Sequence, residues 1–245
     1  MTAAFFLADR AVLTVGRVLL EGPEGRHAVS VRRMRVGEEV VLTDGEGTGA
    51  YGTVASVEGK DQLGVEVTDV RVEPEPRPRL TVVQALPKGD RGELAVETMT
   101  ETGVDVIVPW AASRCVTQWR GERGAKSLAK WRTTAREAGK QSRRLCFPRV
   151  ADLVTTAQLG RLLADAEFAA VLHEDGGTPL ATAELPDSGD IVLVVGPEGG
   201  VTREELTAFA DAGADPYRLG PSVLRTSTAG TAASALLLGR VGRWN

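Results

Sequence analysis

Ile191-Val192-Leu193-Val194-Val195-Gly196-Pro197-Glu198-Gly199-Gly200-Val201-Thr202 runs from a wholly apolar strand through a glycine-rich elbow to the start of a helix. Five apolar residues in succession suit a strand covered on both faces, as in a parallel sheet. Thr202 and Glu205 then form a T-x-x-E capping box that opens the helix. The three glycines between strand and helix let the backbone approach a bound molecule closely. In open α/β sheets, ligands collect beyond the carboxyl ends of strands, which is where this elbow falls. An ordinary strand-to-helix turn carries the same local signals, so the rest of the chain must decide.

Outward from this point, strands alternate with helices. Leu80–Leu86, Val104–Val108 and Phe168–Leu172 read as strands, and Tyr217-Arg218-Leu219 as a short one. Helices are expected over Gly92–Thr102 (closed by Gly103), within Glu122–Arg144, and over Thr155–Ala166, Thr202–Ala212 and Ala229–Leu238. That alternation predicts a mostly parallel sheet with helices on both faces. Glu73-Pro74-Glu75-Pro76-Arg77-Pro78 interrupts it, because alternating proline continues neither a helix nor a central strand. Before it, Val40–Leu42, Tyr51–Val57 and Leu63–Val70 are short alternating runs separated by Gly/Asp turns. The expected organisation is α/β: a small β-rich domain over 1–72, a proline linker over 73–79, and an α/β domain over 80–245.

The chain has 245 residues, 42% hydrophobic and 25% charged, which suits a globular protein. No basic stretch followed by an apolar run marks a signal peptide, and no apolar run reaches membrane-spanning length. Cys115 and Cys146 are too isolated for a disulfide framework or a thiolate metal site, and His27 and His173 too few for a histidine centre. A reduced, cytoplasmic setting without metal or membrane is expected. The net charge of −4 conceals an asymmetry: residues 114–149 hold 11 basic side chains against Glu122 and Glu137 alone. A concentrated basic segment in an acidic chain suits contact with a polyanion, although a solvated helix face is the commoner use of charge runs.

A second glycine-bearing elbow, Leu219-Gly220-Pro221-Ser222-Val223-Leu224-Arg225-Thr226-Ser227-Thr228-Ala229-Gly230, also follows a strand and precedes a helix. Two such elbows can pinch a flat polar molecule such as an adenosine between main-chain groups. The Gly-rich run Asp44–Ala50 formally matches a relaxed dinucleotide fingerprint, but a strand follows it, so a hairpin turn is expected there. No G-x-x-x-x-G-K-[ST] phosphate loop is present. His173, at a strand end, is a candidate general base or a structural histidine. Glu198 either meets the ligand or fixes its own loop.

The pair G-P-E-G-G and L-G-x-x-x-L-R-T-x-T-A, with Pro87-Lys88-Gly89-Asp90-Arg91 and Trp131 through Glu137-Ala138-Gly139-Lys140-Gln141-Ser142-Arg143-Arg144, resembles the RsmE-type uracil-N3 methyltransferases of 16S ribosomal RNA. These belong to the SPOUT class of S-adenosylmethionine enzymes, and the similarity spans the chain. The resemblance implies a small N-terminal PUA-like β barrel, a C-terminal SPOUT α/β domain with a deep trefoil knot, and a homodimer acting on 16S rRNA, with the small ribosomal subunit as its setting. Cofactor contacts are expected from Leu172, His173, Gly196, Pro197, Glu198, Gly199, Gly200, Leu219, Gly220, Val223, Leu224, Arg225 and Thr226. Arg225 is the catalytic candidate, and RNA contacts are expected from Lys88, Arg91, Arg120, Arg123, Lys126, Arg136, Lys140, Gln141, Arg143 and Arg144. The family usually has glutamate where this chain has Ser227, so no role for that carboxylate carries over. It commonly has lysine and leucine where Thr98 and Thr102 stand. Two other readings remain open: a related SPOUT enzyme methylating a ribose 2′-hydroxyl, and a non-enzymatic ribosome assembly factor.

Overall fold

The computed structural model of the protein describes residues 3–244. They divide into two compact units: the chain up to Glu75 together with Gly139–Phe147, and Pro76–Ala138 together with the chain from Pro148 onward.

The first unit is built on β1 (Ala4–Leu7), β2 (Gly16–Leu20), β3 (Glu39–Thr43), β4 (Thr48–Glu58) and β5 (Gln62–Val72), with a short helix α1 (Gly22–Arg26). The strands pair in the order β1-β3-β4-β5-β2, β1 with β3 in parallel and the other pairs antiparallel. Phe6, Leu42, Val54, Leu63 and Val65 form the centre of its core. β3, β4 and β5 are the strands expected from the sequence; β1 and β2 are four and five residues long, too short to carry a clear alternation. The glycine-rich run is a turn, as its context implies: one Asp44 carboxylate oxygen accepts the amides of Glu46 (2.8 Å) and Thr48 (2.9 Å).

Gly139–Phe147 folds onto this turn, where the sequence alone places it with the C-terminal half. The Gly47 amide donates to the Leu145 carbonyl at 3.0 Å, and the Phe147 amide to that of Gly45 at 2.8 Å. Leu145 is buried there, and the Lys140 ammonium lies 2.8 Å from a Glu24 carboxylate oxygen with 6% of its side chain exposed.

The second unit holds β6 (Arg79–Ala85), β7 (Val106–Ala111), β8 (Arg149–Val150), β9 (Val154–Thr155), β10 (Phe168–Leu172), β11 (Thr178–Pro179), β12 (Asp190–Val195) and β13 (Asp215–Arg218). All their pairings are parallel, in the order β11-β13-β10-β12-β6-β7-β8, with β9 also on β7. Its helices are α2 (Arg91–Thr102), α3 (Gly121–Gln141, whose last turn groups with the first unit), α4 (Thr156–Ala164), α5 (Arg203–Asp211) and α6 (Thr226–Arg240). Along β12, Ile191, Leu193 and Val195 face a core shared with α2, α3 and α6, while Val192 and Val194 face one shared with α4 and α5. Both faces are therefore covered, which is why the strand reads as an unbroken apolar run. Each such side chain contributes about 1.5–3 kcal/mol on burial.

The helix ends follow the expected chemistry. Gly103 closes α2 at φ 111°, a left-handed conformation that suits glycine. Thr202 and Glu205 form the reciprocal capping box of α5, and Thr155 with Gln158 does the same for α4. Among the described residues, no helix is long and apolar enough to cross a membrane.

The buried Lys140–Glu24 pair generates a stability prediction. Glu24→Ala removes the carboxylate that faces this buried ammonium and should destabilise the protein by about 3 kcal/mol, whereas Glu24→Ala with Lys140→Met should recover most of that loss. Guanidinium denaturation of the two variants measures both effects, and equal stability of single and double variants contradicts the assignment.

Candidate functional site

Because the sheet is parallel, the loops after β6, β7, β10, β12 and β13 all leave it at the same edge. There they enclose a cleft of about 920 Å³. Its wall is formed by Leu172–Asp175 after β10, Val195–Val201 after β12, and Arg218–Thr226 after β13, with Arg91, Arg114 and Ala229 completing it. All thirteen residues expected at a cofactor line this one cleft. The two elbows, separated by about twenty residues of chain, are thus two sides of a single space.

Gln84 ties the second elbow to β6. It is fully buried on β6, stands in register with Val195, and donates its side-chain amide to the carbonyls of Ala85 (3.0 Å) and Thr226 (3.3 Å). Nothing in the sequence marks this glutamine, since a polar residue within a buried strand shows its purpose only when its partners are known.

The glycines of the first elbow serve different ends. At Gly196 an added Cβ would stand 2.7 Å from a Val201 methyl, so the missing side chain closes the turn on itself. Gly200 has φ +74°, a left-handed conformation. At Gly199 the Cβ would stand 2.9 Å from the Cβ of Arg114, so that position makes room for a neighbouring loop. Gly220 alone among these has neither positive φ nor any protein atom within 4 Å of an added Cβ, and it lines the cleft. The close approach that the sequence suggests for the first elbow is to protein; the second elbow leaves its space open.

Glu205 anchors this edge of the sheet. One carboxylate oxygen accepts the Ser113 amide at 2.8 Å and the Thr156 hydroxyl at 3.1 Å, while the other accepts the Thr202 amide at 2.9 Å. Burial by itself pushes its carboxyl up; the hydrogen bonds from Thr202, Ser113 and Thr156 outweigh it and hold the group below the usual carboxylate range. Two further bonds dock neighbouring loops on the elbow. The Lys88 amide donates to the Glu198 carboxylate at 3.1 Å, and Arg114 donates to the Gly199 carbonyl at 3.1 Å. Glu198 therefore ties the loop after β6 to the first elbow through a backbone amide.

His173 is held by its neighbours. Its amide donates to the Tyr217 carbonyl at 3.0 Å, and its Nδ1 accepts the Asp175 amide at 3.2 Å. With Nδ1 accepting that amide, the neutral ring carries its proton on Nε2. Burial pushes the Cys115 thiol up, away from a reactive thiolate. Arg225 caps α6, is exposed in the cleft, and makes no ion pair among the described residues. Ser227 is buried in the first turn of α6.

The expected RNA-contacting residues fall in several places. Arg91 lines the cleft, Lys88 is exposed beside it, and Arg120 and Arg123 are exposed at the start of α3. Lys126 pairs with Glu122 (2.8 Å) and Arg136 with Glu137 (3.2 Å), both in exposed pairs that cost little to open. Gln141, Arg143 and Arg144 lie in the segment that folds with the first unit, Arg143 at φ 59° where glycine is the usual helix terminator. Lys140 is the exception: its ammonium is buried against Glu24 and presents no free charge at the surface.

A family model described as an RNA methyltransferase domain matches residues 73–238, and one described as an RNA methyltransferase PUA domain matches residues 20–68. The ribosomal RNA small subunit methyltransferase E of Mycobacterium tuberculosis is 43% identical, covering 100% of this chain and 95% of its own length. That of Bacillus subtilis is 30% identical over 86% of this chain and 85% of its own. The crystal structure of the corresponding Neisseria gonorrhoeae protein, bound to S-adenosyl methionine, superposes with a TM-score of 0.85 at 29% identity over 98% of each chain.

The lowered carboxyl of Glu205 fixes a pH dependence. A group depressed in the folded state stabilises it above the unfolded pKa, about 4.3, and that stabilisation is lost as pH falls through the folded value. Glu205→Gln should therefore melt well below the wild type at pH 7, with the gap narrowing on acidification below about pH 4.5. Thermal melts from pH 3.5 to 7 measure it, and a gap independent of pH rules the account out.

Proposed function

The chain belongs to the ribosomal RNA small subunit methyltransferase E family, and on that premise we propose that it methylates N3 of one uridine in 16S ribosomal RNA, with S-adenosylmethionine as donor. The single observation that carries this reading is the convergence of both elbows on one cleft at the carboxyl edge of the sheet. The cleft suits the donor: apolar Leu172, Leu219, Val223 and Leu224 flank main-chain groups, and Gly220 leaves room where a Cβ would stand. When bound, the donor supplies an electrophilic methyl on a sulfonium sulfur.

The protein's own work is to position the acceptor and manage its charge. Uracil N3 is an imide nitrogen, and it attacks only once its proton leaves and negative charge spreads to the flanking carbonyl oxygens. Arg225 supports that charge, being permanently cationic, unpaired among the described residues and on the cleft wall. The proton does not go to residue 227, which is a buried serine, nor to His173, whose acceptor nitrogen is occupied. Glu174, Asp175 and Glu198 are the carboxylates on the described cleft wall, and the acceptor is one of them or water that they hold.

N3 lies on the Watson–Crick edge, so the target uridine is unpaired or turned out of its stack. Arg120, Arg123, Lys126, Arg136, Gln141, Arg143 and Arg144 supply the RNA contacts on this reading, with Lys88 and Arg91 at the cleft. The same reading carries a PUA-like barrel, a knotted C-terminal domain, a homodimer and a cytoplasmic setting.

Nucleoside analysis by mass spectrometry of 16S ribosomal RNA from cells lacking the protein tests the function: 3-methyluridine at one position should disappear and return on complementation. A lost 2′-O-methyl group would replace this reading with the ribose reaction. Arg225→Ala should return little of the mark, with methyl transfer slowed by about a hundredfold. Gly220→Ala should melt like the wild type yet bind S-adenosylmethionine about tenfold more weakly, since the new methyl meets ligand and not protein. Unchanged donor affinity by calorimetry would put the donor elsewhere.

A further inference from the structure

Arg114 is a cleft residue that neither the elbows nor the basic helix explains. It sits on the loop after β7, is exposed, and lines the cleft beside Gly199 and Gly200. Its loop is held on both sides: the Ser113 amide by the buried Glu205 carboxylate (2.8 Å), and the Thr117 hydroxyl by the Pro87 carbonyl (2.7 Å). The first elbow is shaped to admit it, because a Cβ on Gly199 would stand 2.9 Å from Arg114 Cβ and 3.1 Å from its carbonyl oxygen. One guanidinium nitrogen is used, donating to the Gly199 carbonyl at 3.1 Å. No carboxylate within ion-pair distance neutralises it among the described residues, although Glu204 lies near enough to feel its charge.

A guanidinium carries five N–H donors in a planar fork that matches an oxyanion in two places at once. One bond to a main-chain carbonyl leaves most of that capacity, and all of the charge, facing the cleft. Because the backbone beneath it is fixed from Glu205, little ordering remains to be done when an anion arrives. We propose that Arg114 is an oxyanion-binding residue of the cleft, gripping a carboxylate or phosphate group of the occupant while it braces the first elbow. The proposal rests on the methyltransferase reading, which offers two sources of that chemistry: the amino-acid carboxylate of the donor and a phosphate next to the target uridine.

The test uses the full-length chain and two probes, S-adenosylmethionine alone by calorimetry and in-vitro-transcribed 16S ribosomal RNA by filter binding across 50–200 mM salt. Arg114→Ala and Arg114→Lys are compared with wild type, and thermal melts report whether each is folded. If the donor carboxylate is the ligand, Arg114→Ala weakens S-adenosylmethionine binding about tenfold and leaves RNA binding unchanged. If a phosphate is the ligand, donor affinity holds while RNA affinity falls and the salt slope drops by about 1. In either case Arg114→Lys, which keeps the charge but not the fork, recovers only part of the loss. Wild-type affinity for both probes in Arg114→Ala overturns the proposal, as does full recovery by lysine, which would make the fork irrelevant. A wild-type chain that binds neither probe overturns the functional reading itself, and this proposal with it. If Arg114→Ala is unfolded, Arg114→Lys alone decides through the same two affinities.

Discussion

β12 lies between β10 and β6, in parallel register with both over Ile191–Val195, and the site depends on that constraint. An antiparallel neighbour would send its following loop to the opposite edge of the sheet. With every pairing parallel, the loops after β6, β7, β10, β12 and β13 meet at one edge whatever their length or composition. The burial of both faces of β12 makes this arrangement stable, because shifting the strand by one residue would exchange the side chains of two separate cores. Fold and site are therefore specified together, by five apolar residues and the elbow attached to them.

Much of this was legible in the sequence for definite reasons. Capping boxes, a glycine terminator and an unbroken apolar run are local, so Thr202 with Glu205, Gly103, and β12 could be read directly. The eleven expected cofactor residues of the two elbows could be paired because each elbow follows a strand and precedes a helix. The short strands β1, β2, β8, β9 and β11 escaped because two to five residues carry too little periodicity. Gly139–Phe147 escaped because its membership of the first unit rests on main-chain bonds to Gly45 and Gly47, which leave no pattern in composition.

The glycines show where residue type stops being informative. Gly196, Gly199, Gly200 and Gly220 look alike in the sequence, and all invite the argument that a ligand comes close. In the structure, one admits Val201, one admits Arg114, one takes a left-handed turn, and one opens on the cleft. Charge behaves similarly. The basic run after Arg114 reads as a single feature, yet Lys140 is buried against Glu24, Arg132 reaches Asp152 and the Val150 carbonyl, and Lys130 reaches Glu93. What remains for a polyanion is a subset that only partner geometry selects.

Ser227 bears most directly on the chemistry. A carboxylate in the first turn of α6 would gain from the helix dipole and would stay ionised there, lowering its strength as a base. A serine at that place has no charge to stabilise and no proton affinity to offer at neutral pH. The burden then falls on making the imide proton more acidic, which is the work of a cation next to the uracil oxygens and not of a stronger base. Arg225 caps the same helix two residues earlier. The first turn of α6 carries no acid, so on the proposed reading the guanidinium meets the charge that develops on the uracil without a competing anion from that turn. On the proposed reading acceptor strength can therefore be modest, provided that the cation is placed first.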